Sequence, residues 1–318
     1  MPADYVVRKV LVATDGSPAS FAAISDLIHA GLPPEGEAVV LSVADRVPLF
    51  PPRTPEEMLY LEDARLAVPR HWARSAADIL RRRFPHWTVR EETRAGAPAR
   101  EILKFANEWS PDLIVLGSHG RSTLGRLFFG SVSRKVMLEA RTSVRIGRRL
   151  ERPEGTPLRL LVGVDETPAS EVVIAALAAR HFSPDTQVKV VTATGVFEYF
   201  SSDILGSSVA VVPSDTIDEL RRAAADAATA VQEKLLAAYP DLKVEVSREV
   251  IEGDPKSVLL DIAEKWPADA ILLGTRDLSG PERFFIGSVS SAIVAHAPCT
   301  VEIVRRRAAE APTEQPAS

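Results

Sequence analysis

WSPDLIVLGSHGRSTLGRLFFGSVSRKV (residues 109–136) and WPADAILLGTRDLSGPERFFIGSVSSAI (266–293) follow one pattern: an apolar β-type run, a glycine, a polar loop, and a Gly-Ser pair that opens a helix. The likeness extends outward from these stretches. VLVATDGSPAS (10–20) matches LLVGVDETPAS (160–170), with Asp15 over Asp165 at an offset of 150, whereas the glycine segments match at an offset of 157. The seven additional residues of the second half fall after its second strand, where RVPLFPPRTPEE (46–57) and GVFEYFSSDILGSSVAVVPSD (195–215) have nothing in common. A self-similarity of this length is the signature of a duplicated domain, and a chain of 318 residues is long enough for two cores of ordinary size. The reading therefore places one domain at 1–150 and a second at 157–306, joined by the charged, Pro- and Gly-punctuated RRLERPEGTPLR (148–159). Residues 307–318 are poor in bulky apolar groups and are read as a disordered tail.

Within each half, short apolar and β-branched runs alternate with helical stretches. In the first half the expected strands are 10–14, 38–43, 88–93, 113–117 and 143–147. The expected helices are 18–30, 56–83 with Pro69 as an interruption, 98–109 and 130–140. Central strands apolar nearly throughout, separated by amphipathic helices, specify an α/β fold: two repeated five-stranded parallel-sheet domains with helices on both faces. Crossovers between parallel strands are right-handed, and ligands bind at the carboxyl edge of such sheets. That edge carries ATDGS (13–17), SVAD (42–45) and LGSHG (116–120).

In GSHGRSTLGRLFFGS (117–131), Gly117 lets backbone approach closely, Gly120 can turn the chain, and Gly130 opens a helix. Gly130, Ser131, Val132 and Ser133 then present free N–H groups and the positive end of the helix dipole, which suits phosphate. Arg121 and Arg126 add cations nearby. A Ser-capped helix behind a glycine loop also occurs without any ligand. Asp15, at the end of the first strand, can equally cap the helix that follows it, and His119 can be an ordinary loop histidine.

The spacing G-x2-G-x9-G-S, set after the fourth strand of a five-stranded repeat whose first strand ends in Asp, closely resembles the nucleotide motif of the universal stress protein family. The resemblance spans residues 5–149 and 157–306. It implies a Rossmann-like, adenine nucleotide alpha hydrolase-like fold in which ATP-binding members use the glycine motif. By matching positions it implies that Asp15, with Ala13 and Thr14, faces adenine and ribose, and that Val43 contacts the adenine ring. It sets Leu116, Gly117, His119 and Gly120 beside the ribose and α-phosphate, and Gly130, Ser131, Val132 and Ser133 at the β- and γ-phosphates. The implied cofactor is ATP, alone or with Mg²⁺.

The second half departs from this pattern, with Asp277 in place of Gly120, Arg276 in place of His119, and Glu166 in place of Gly16. Carboxylates beside a phosphate path repel it unless Mg²⁺, Arg276 or Arg283 intervenes. A weak second site is expected at Asp165, Gly274, Gly287, Ser288, Val289 and Ser290.

The remaining composition narrows the function classes. Residues 1–150 carry 22 Lys and Arg against 17 Asp and Glu, and 151–318 carry 16 against 26, so an anion is drawn to the first half. The basic residues are too dispersed for a nucleic-acid stripe, and RRRF (81–84) reads as an exposed helix end. Six scattered histidines lack metal-ligand spacing, and Cys299 reads as a small core residue. With neither a long apolar span nor a leader-like start, a cytoplasmic location without membrane contact is expected. A regulatory nucleotide-binding protein is the first reading. A slow ATPase, or a nucleotide-independent partner-binding or chaperone-like protein, is the alternative; GxxxxGK[ST] is absent, and no catalytic residue is assigned. The apolar connection 195–212 is expected to fold over its own domain or the interdomain seam, or else to meet a partner or a lipid-like ligand. The family also associates through its last strand. SVRIG (143–147) and TVEIVR (300–305) hold that position, so the halves are expected to pair within the chain, with a homodimer and an unknown regulatory protein as further partners.

Overall fold

The structure, a computed structural model, describes residues 5–45, 54–119, 129–148, 155–165, 167–194, scattered helical residues of 219–237, 245–275 and 287–306. The first half runs β1 (Lys9–Ala13), α1 (Pro18–Asp26), β2 (Gly36–Ala44), α2 (Pro55–Arg83), β3 (Trp87–Ala95), α3 (Pro98–Trp109), β4 (Leu113–Gly117), α4 (Ser131–Glu139) and β5 (Ser143–Gly147). The second runs β6 (Arg159–Gly163), α5 (Pro168–Ala178), β7 (Gln187–Thr194), β8 (Glu245–Glu252), α6 (Pro255–Lys265), β9 (Ala270–Gly274), α7 (Ser288–His296) and β10 (Thr300–Val304).

The helices start where their local chemistry says they should. Ser17 caps α1 by accepting from the Ser20 N–H at 3.2 Å, and Asp254 caps α6 by accepting from the Ser257 N–H at 3.3 Å. Pro18, Pro98, Pro168 and Pro255 sit in first turns, where a missing N–H costs nothing. Two expectations need correction. The helix expected over 18–30 ends as α-helix at Asp26 and finishes as a 3₁₀ turn, Leu27–His29, and Pro69 does not interrupt α2, which runs through it unbroken. A proline removes one intrahelical hydrogen bond. Here the following turns bury Ala73, Ala76, Ala77 and Leu80 against the sheet, and that packing carries the helix through.

All ten strands form one sheet in the order β3-β2-β1-β4-β5-β10-β9-β6-β7-β8, parallel within each half. The single antiparallel step is β5 against β10, which pairs Ile146 with Val301, Arg145 with Glu302, and Val144 with Ile303. Strand alternation divides the core by face. On one face, Val144, Ile146, Val301 and Ile303 join the inward residues of α3, α4, α6 and α7 in a single apolar layer that crosses from one half to the other. On the opposite face each half keeps its own core, around α1 and α2 in the first and α5 in the second.

Arg145 and Glu302 point to that second face, at the seam between the two separate cores, and both are buried. The Arg145 guanidinium donates to Asp26 on α1 at 2.7 Å and to Glu302 at 2.9 Å, while Arg180 donates to Glu302 and, at 2.6 Å, to the Ala30 carbonyl. Charges thus alternate along Asp26, Arg145, Glu302 and Arg180. Burial pushes the Glu302 carboxyl up, but Arg180 and Arg145 outweigh burial and hold it below the ordinary glutamate value. Cys299, also buried, has its thiol pushed up to about 12 by desolvation, as suits a core residue with no thiolate chemistry at neutral pH.

Removing Glu302 takes the shared carboxylate from two buried guanidiniums and leaves Asp26 as the acidic partner of Arg145, so Glu302→Ala is expected to cost about 3–5 kcal/mol in urea unfolding at pH 7. Because the folded-state carboxyl titrates below its unfolded value, its stabilisation is complete above the ordinary value of 4.5 and lost as pH falls through the folded one. The stability of Glu302→Gln should therefore fall less steeply than that of the parent below that pH.

Candidate functional site

The carboxyl ends of β1, β2 and β4 and the start of α4 surround a cavity of about 700 Å³ in the first half, the size of an ordinary small-molecule site. Its floor comes from β1 and the turn after it. Thr14 donates its N–H to the Leu41 carbonyl at 3.0 Å, and its side-chain oxygen lies 3.0 Å from Ser20 Oγ, so the hydroxyl is engaged within the fold. Asp15 Oδ1 accepts from the Ser17 N–H at 3.0 Å. Ser17 is the helix cap, and Asp15 props the loop that delivers it; the carboxylate itself lines the cavity.

The glycine motif builds the opposite side. A side chain at Gly117 would stand 2.7 Å from the Ala19 carbonyl carbon and the Ser20 nitrogen, so this glycine lets α1 lie directly on the end of β4. Gly274 has the same relation to Ala169 in the second half. Beyond β4 the Gly130 N–H donates to the Ser118 carbonyl at 2.9 Å, and the buried Ser133 hydroxyl donates to the Gly117 carbonyl at 2.7 Å. Together these bonds aim the first turn of α4 at the cavity. Unlike α1, α4 starts without a side-chain cap among the described residues, and its first turn lines the cleft, an arrangement that suits an anion. His119 lines the same space, with its Nδ1 2.9 Å from Ser118 Oγ.

Ala13, Thr14, Asp15, Val43, Leu116, Gly117, His119, Gly130, Ser131, Val132 and Ser133 are thus brought to one cavity. Gly120, Arg121 and Arg126 lie outside the described residues, as do Glu166, Arg276, Asp277, Arg283, the connection 195–212 and the tail 307–318. One wall escaped the sequence reading. Arg65, Val68, Pro69 and Trp72 of α2 also line the cavity. A sequence signal was present: Pro69 stands inside a helical stretch, and Trp72 follows three residues later, on the same helix face.

In the second half Gly274, Gly287, Ser288, Val289 and Ser290 repeat the strand end and helix opening, again with no side-chain cap among the described residues. Asp165 Oδ1 accepts from the Thr167 N–H at 3.0 Å, as Asp15 Oδ1 does from Ser17, and also from the Thr167 hydroxyl at 2.5 Å and the Ser170 hydroxyl at 3.0 Å.

A profile of the universal stress protein family matches residues 7–147 and again 158–305. The chain belongs to the universal stress protein family, as two domains in tandem. Among curated relatives, a putative universal stress protein of Staphylococcus aureus (strain USA300) is 40% identical over 79 residues, 23% of this chain and 48% of that one, so the chain spans about half the length of the curated relatives it matches. Among solved structures, a universal stress protein from Archaeoglobus fulgidus DSM 4304 covers 94% of this chain and 96% of its own, with TM-score 0.61 and 20% identity, a likeness of fold. A universal stress protein crystallised in complex with cAMP covers 46% of this chain and 99% of its own, at 26% identity and TM-score 0.34. No helix among the described residues is long and apolar enough to cross a membrane.

The two motif glycines should separate by experiment. Gly117→Ala forces a methyl onto α1 backbone and is expected to cost about 1–3 kcal/mol. Gly130 sits at φ −65° and ψ 143°, open to any residue, so Gly130→Ala should change stability by no more than about 0.5 kcal/mol in the same unfolding assay.

Proposed function

We propose that the first domain of this universal stress protein binds ATP or a closely related adenine nucleotide, and that the bound state is what a regulatory partner recognises. The observation that carries this reading is the cavity itself, where an uncapped helix opening and the Asp15 turn converge at the carboxyl edge of a parallel sheet. Phosphate at the first turn of α4 gains the dipole and the exposed N–H groups, and the base falls at the more apolar end beside Val43 and Leu116. The excess of basic residues in the first half favours the same anion.

We place the domains at 1–150 and 157–306 and read the second as the weaker binder. Three local bonds converge on its Asp165 Oδ1, and its loop sequence substitutes Asp277 for Gly120. A cytoplasmic site of action fits this reading.

The test is calorimetric titration with ATP. The parent chain should bind about one nucleotide at moderate concentration, and Gly130→Val, whose backbone angles accept a branched residue, should weaken binding by at least tenfold, about 1.4 kcal/mol, with unfolding nearly unchanged. Equal affinity in the two proteins would place the site elsewhere, and two equivalent nucleotides per parent chain would remove the inequality of the domains.

A further inference from the structure

The α2 wall sets the first half apart from the second. Trp72 lies across Gly16: a side chain at Gly16 would stand 2.4 Å from Trp72 Nε1 and 2.5 Å from its Cδ1 and Cδ2, so the five-membered ring covers that glycine face-on. Gly16 has φ +74°, a left-handed conformation that leaves room for the indole and suits no branched residue. With one face held against Gly16, the ring lines the cavity with its remaining surface. One turn earlier, Val68 lines the same cavity while half of it is exposed to solvent, one of few large apolar side chains so exposed among the described residues. The wall is tied to the sheet by Arg65, whose Nη2 donates to the Asp45 carbonyl at 2.9 Å and reaches the Ala44 carbonyl at 3.5 Å, directly after Val43.

The duplicated sequence supplies an internal comparison. With Phe84-Pro85 aligned on Tyr239-Pro240 in the sequence, Arg65, Val68, Pro69 and Trp72 fall on Leu220, Ala223, Ala224 and Ala227. The first half keeps the glycine motif whole and the second keeps it in part, whereas in this sequence alignment alanines stand in the second half at the places of Val68, Pro69 and Trp72. The place of Gly16 is likewise taken by Glu166. An indole held flat by a positive-φ glycine at the mouth of a cleft offers a planar ligand a large apolar contact at low entropic cost, since the ring is already fixed.

We propose that α2 is the base platform of the first domain, with Trp72 a binding residue that a planar heteroaromatic base covers together with Val68. This rests on the reading of the cleft as a nucleotide site and adds what selects the base end. Phosphate is held by α4, whose counterpart in the second half is α7; the base is held by α2 of the first half, and this makes the first domain the selective one.

The experiment pairs calorimetric titration with ATP and intrinsic tryptophan fluorescence on the full chain, using the parent, Trp72→Ala and Trp72→Phe. ATP should change the fluorescence of the parent. Trp72→Phe, which keeps an aromatic surface, should bind ATP within about fivefold of the parent yet lose that fluorescence change, because Trp87, Trp109 and Trp266 do not line the cleft. Trp72→Ala should weaken ATP at least tenfold with an unchanged far-UV circular dichroism spectrum. If the parent binds ATP and Trp72→Phe retains the fluorescence response, or a folded Trp72→Ala keeps parental affinity, the platform is wrong and the nucleotide reading stands. If Trp72→Ala does not fold, Trp72→Phe decides. A parent chain that binds no adenine nucleotide overturns both.

Discussion

The contact between Arg145 and Glu302 is what turns two five-stranded units into one ten-stranded sheet with a defined register. Apolar burial on the shared face would accept β5 against β10 in more than one alignment, because Val144, Ile146, Val301 and Ile303 are similar in size and shape. The opposite face would not. A slip of one residue would turn each charged side chain into the apolar layer, and a slip of two would part Arg145 from Glu302, leaving Arg145 with Asp26 alone and Glu302 with Arg180 alone in the buried seam. The arrangement also discriminates between partners. A β5 strand meeting a second β5 about the same axis would set Arg145 against Arg145, and two β10 strands would set Glu302 against Glu302. The unlike halves are therefore each other's fitting partners, through a cluster whose energetic value lies more in specificity than in net stabilisation.

That seam was half legible in the sequence. SVRIG and TVEIV each carry one charged residue amid apolar neighbours, of opposite sign and at the same place in the repeat, and this is the pattern of a pair buried between two strands. Domain-wide net charge, +5 against −10, says nothing of such a local pair. Asp26 and Arg180 could not be read at all. They are not repeat equivalents, since the offset of 150 sets Asp26 over Ala176 and Ala30 over Arg180, and they reach the cluster only because the turns after α1 and α5 meet, where the His181 N–H donates to the Gly31 carbonyl at 2.8 Å.

The cleft was more legible, for a physical reason. Residues that expose backbone to a ligand must be small or must sit at element ends, and both constraints act on local sequence: glycine at Gly117 and Gly130, an acidic turn at Asp15, serines opening α4. The assigned purpose of Gly117 was incomplete, however. Its missing side chain is demanded by the backbone of α1, a contact 98 residues away in sequence. The α2 wall went unread because its local signal, Pro69 inside a helix with Trp72 three residues later, does not say what it faces: the role of Trp72 follows only from what Gly16 leaves uncovered.

The antiparallel step at β5 and β10 has a consequence for how the two halves can influence one another. Each half is parallel within itself, so reversing direction once at the centre puts the two carboxyl edges, and with them the two helix openings at Gly130 and Gly287, on opposite edges of the sheet. Ligands at the two edges do not share a mouth, and electrostatic coupling between them is screened by solvent around the molecule. The continuous route between them is the apolar layer that crosses the seam, which contains Val136 and Met137 of α4, Ile293 and Val294 of α7, and the strand residues between. α4 also reaches across directly, since the Met137 carbonyl accepts from the Arg305 guanidinium just beyond β10. α4 thus opens on the cleft of the first half at one end and is bonded to the second half near the other.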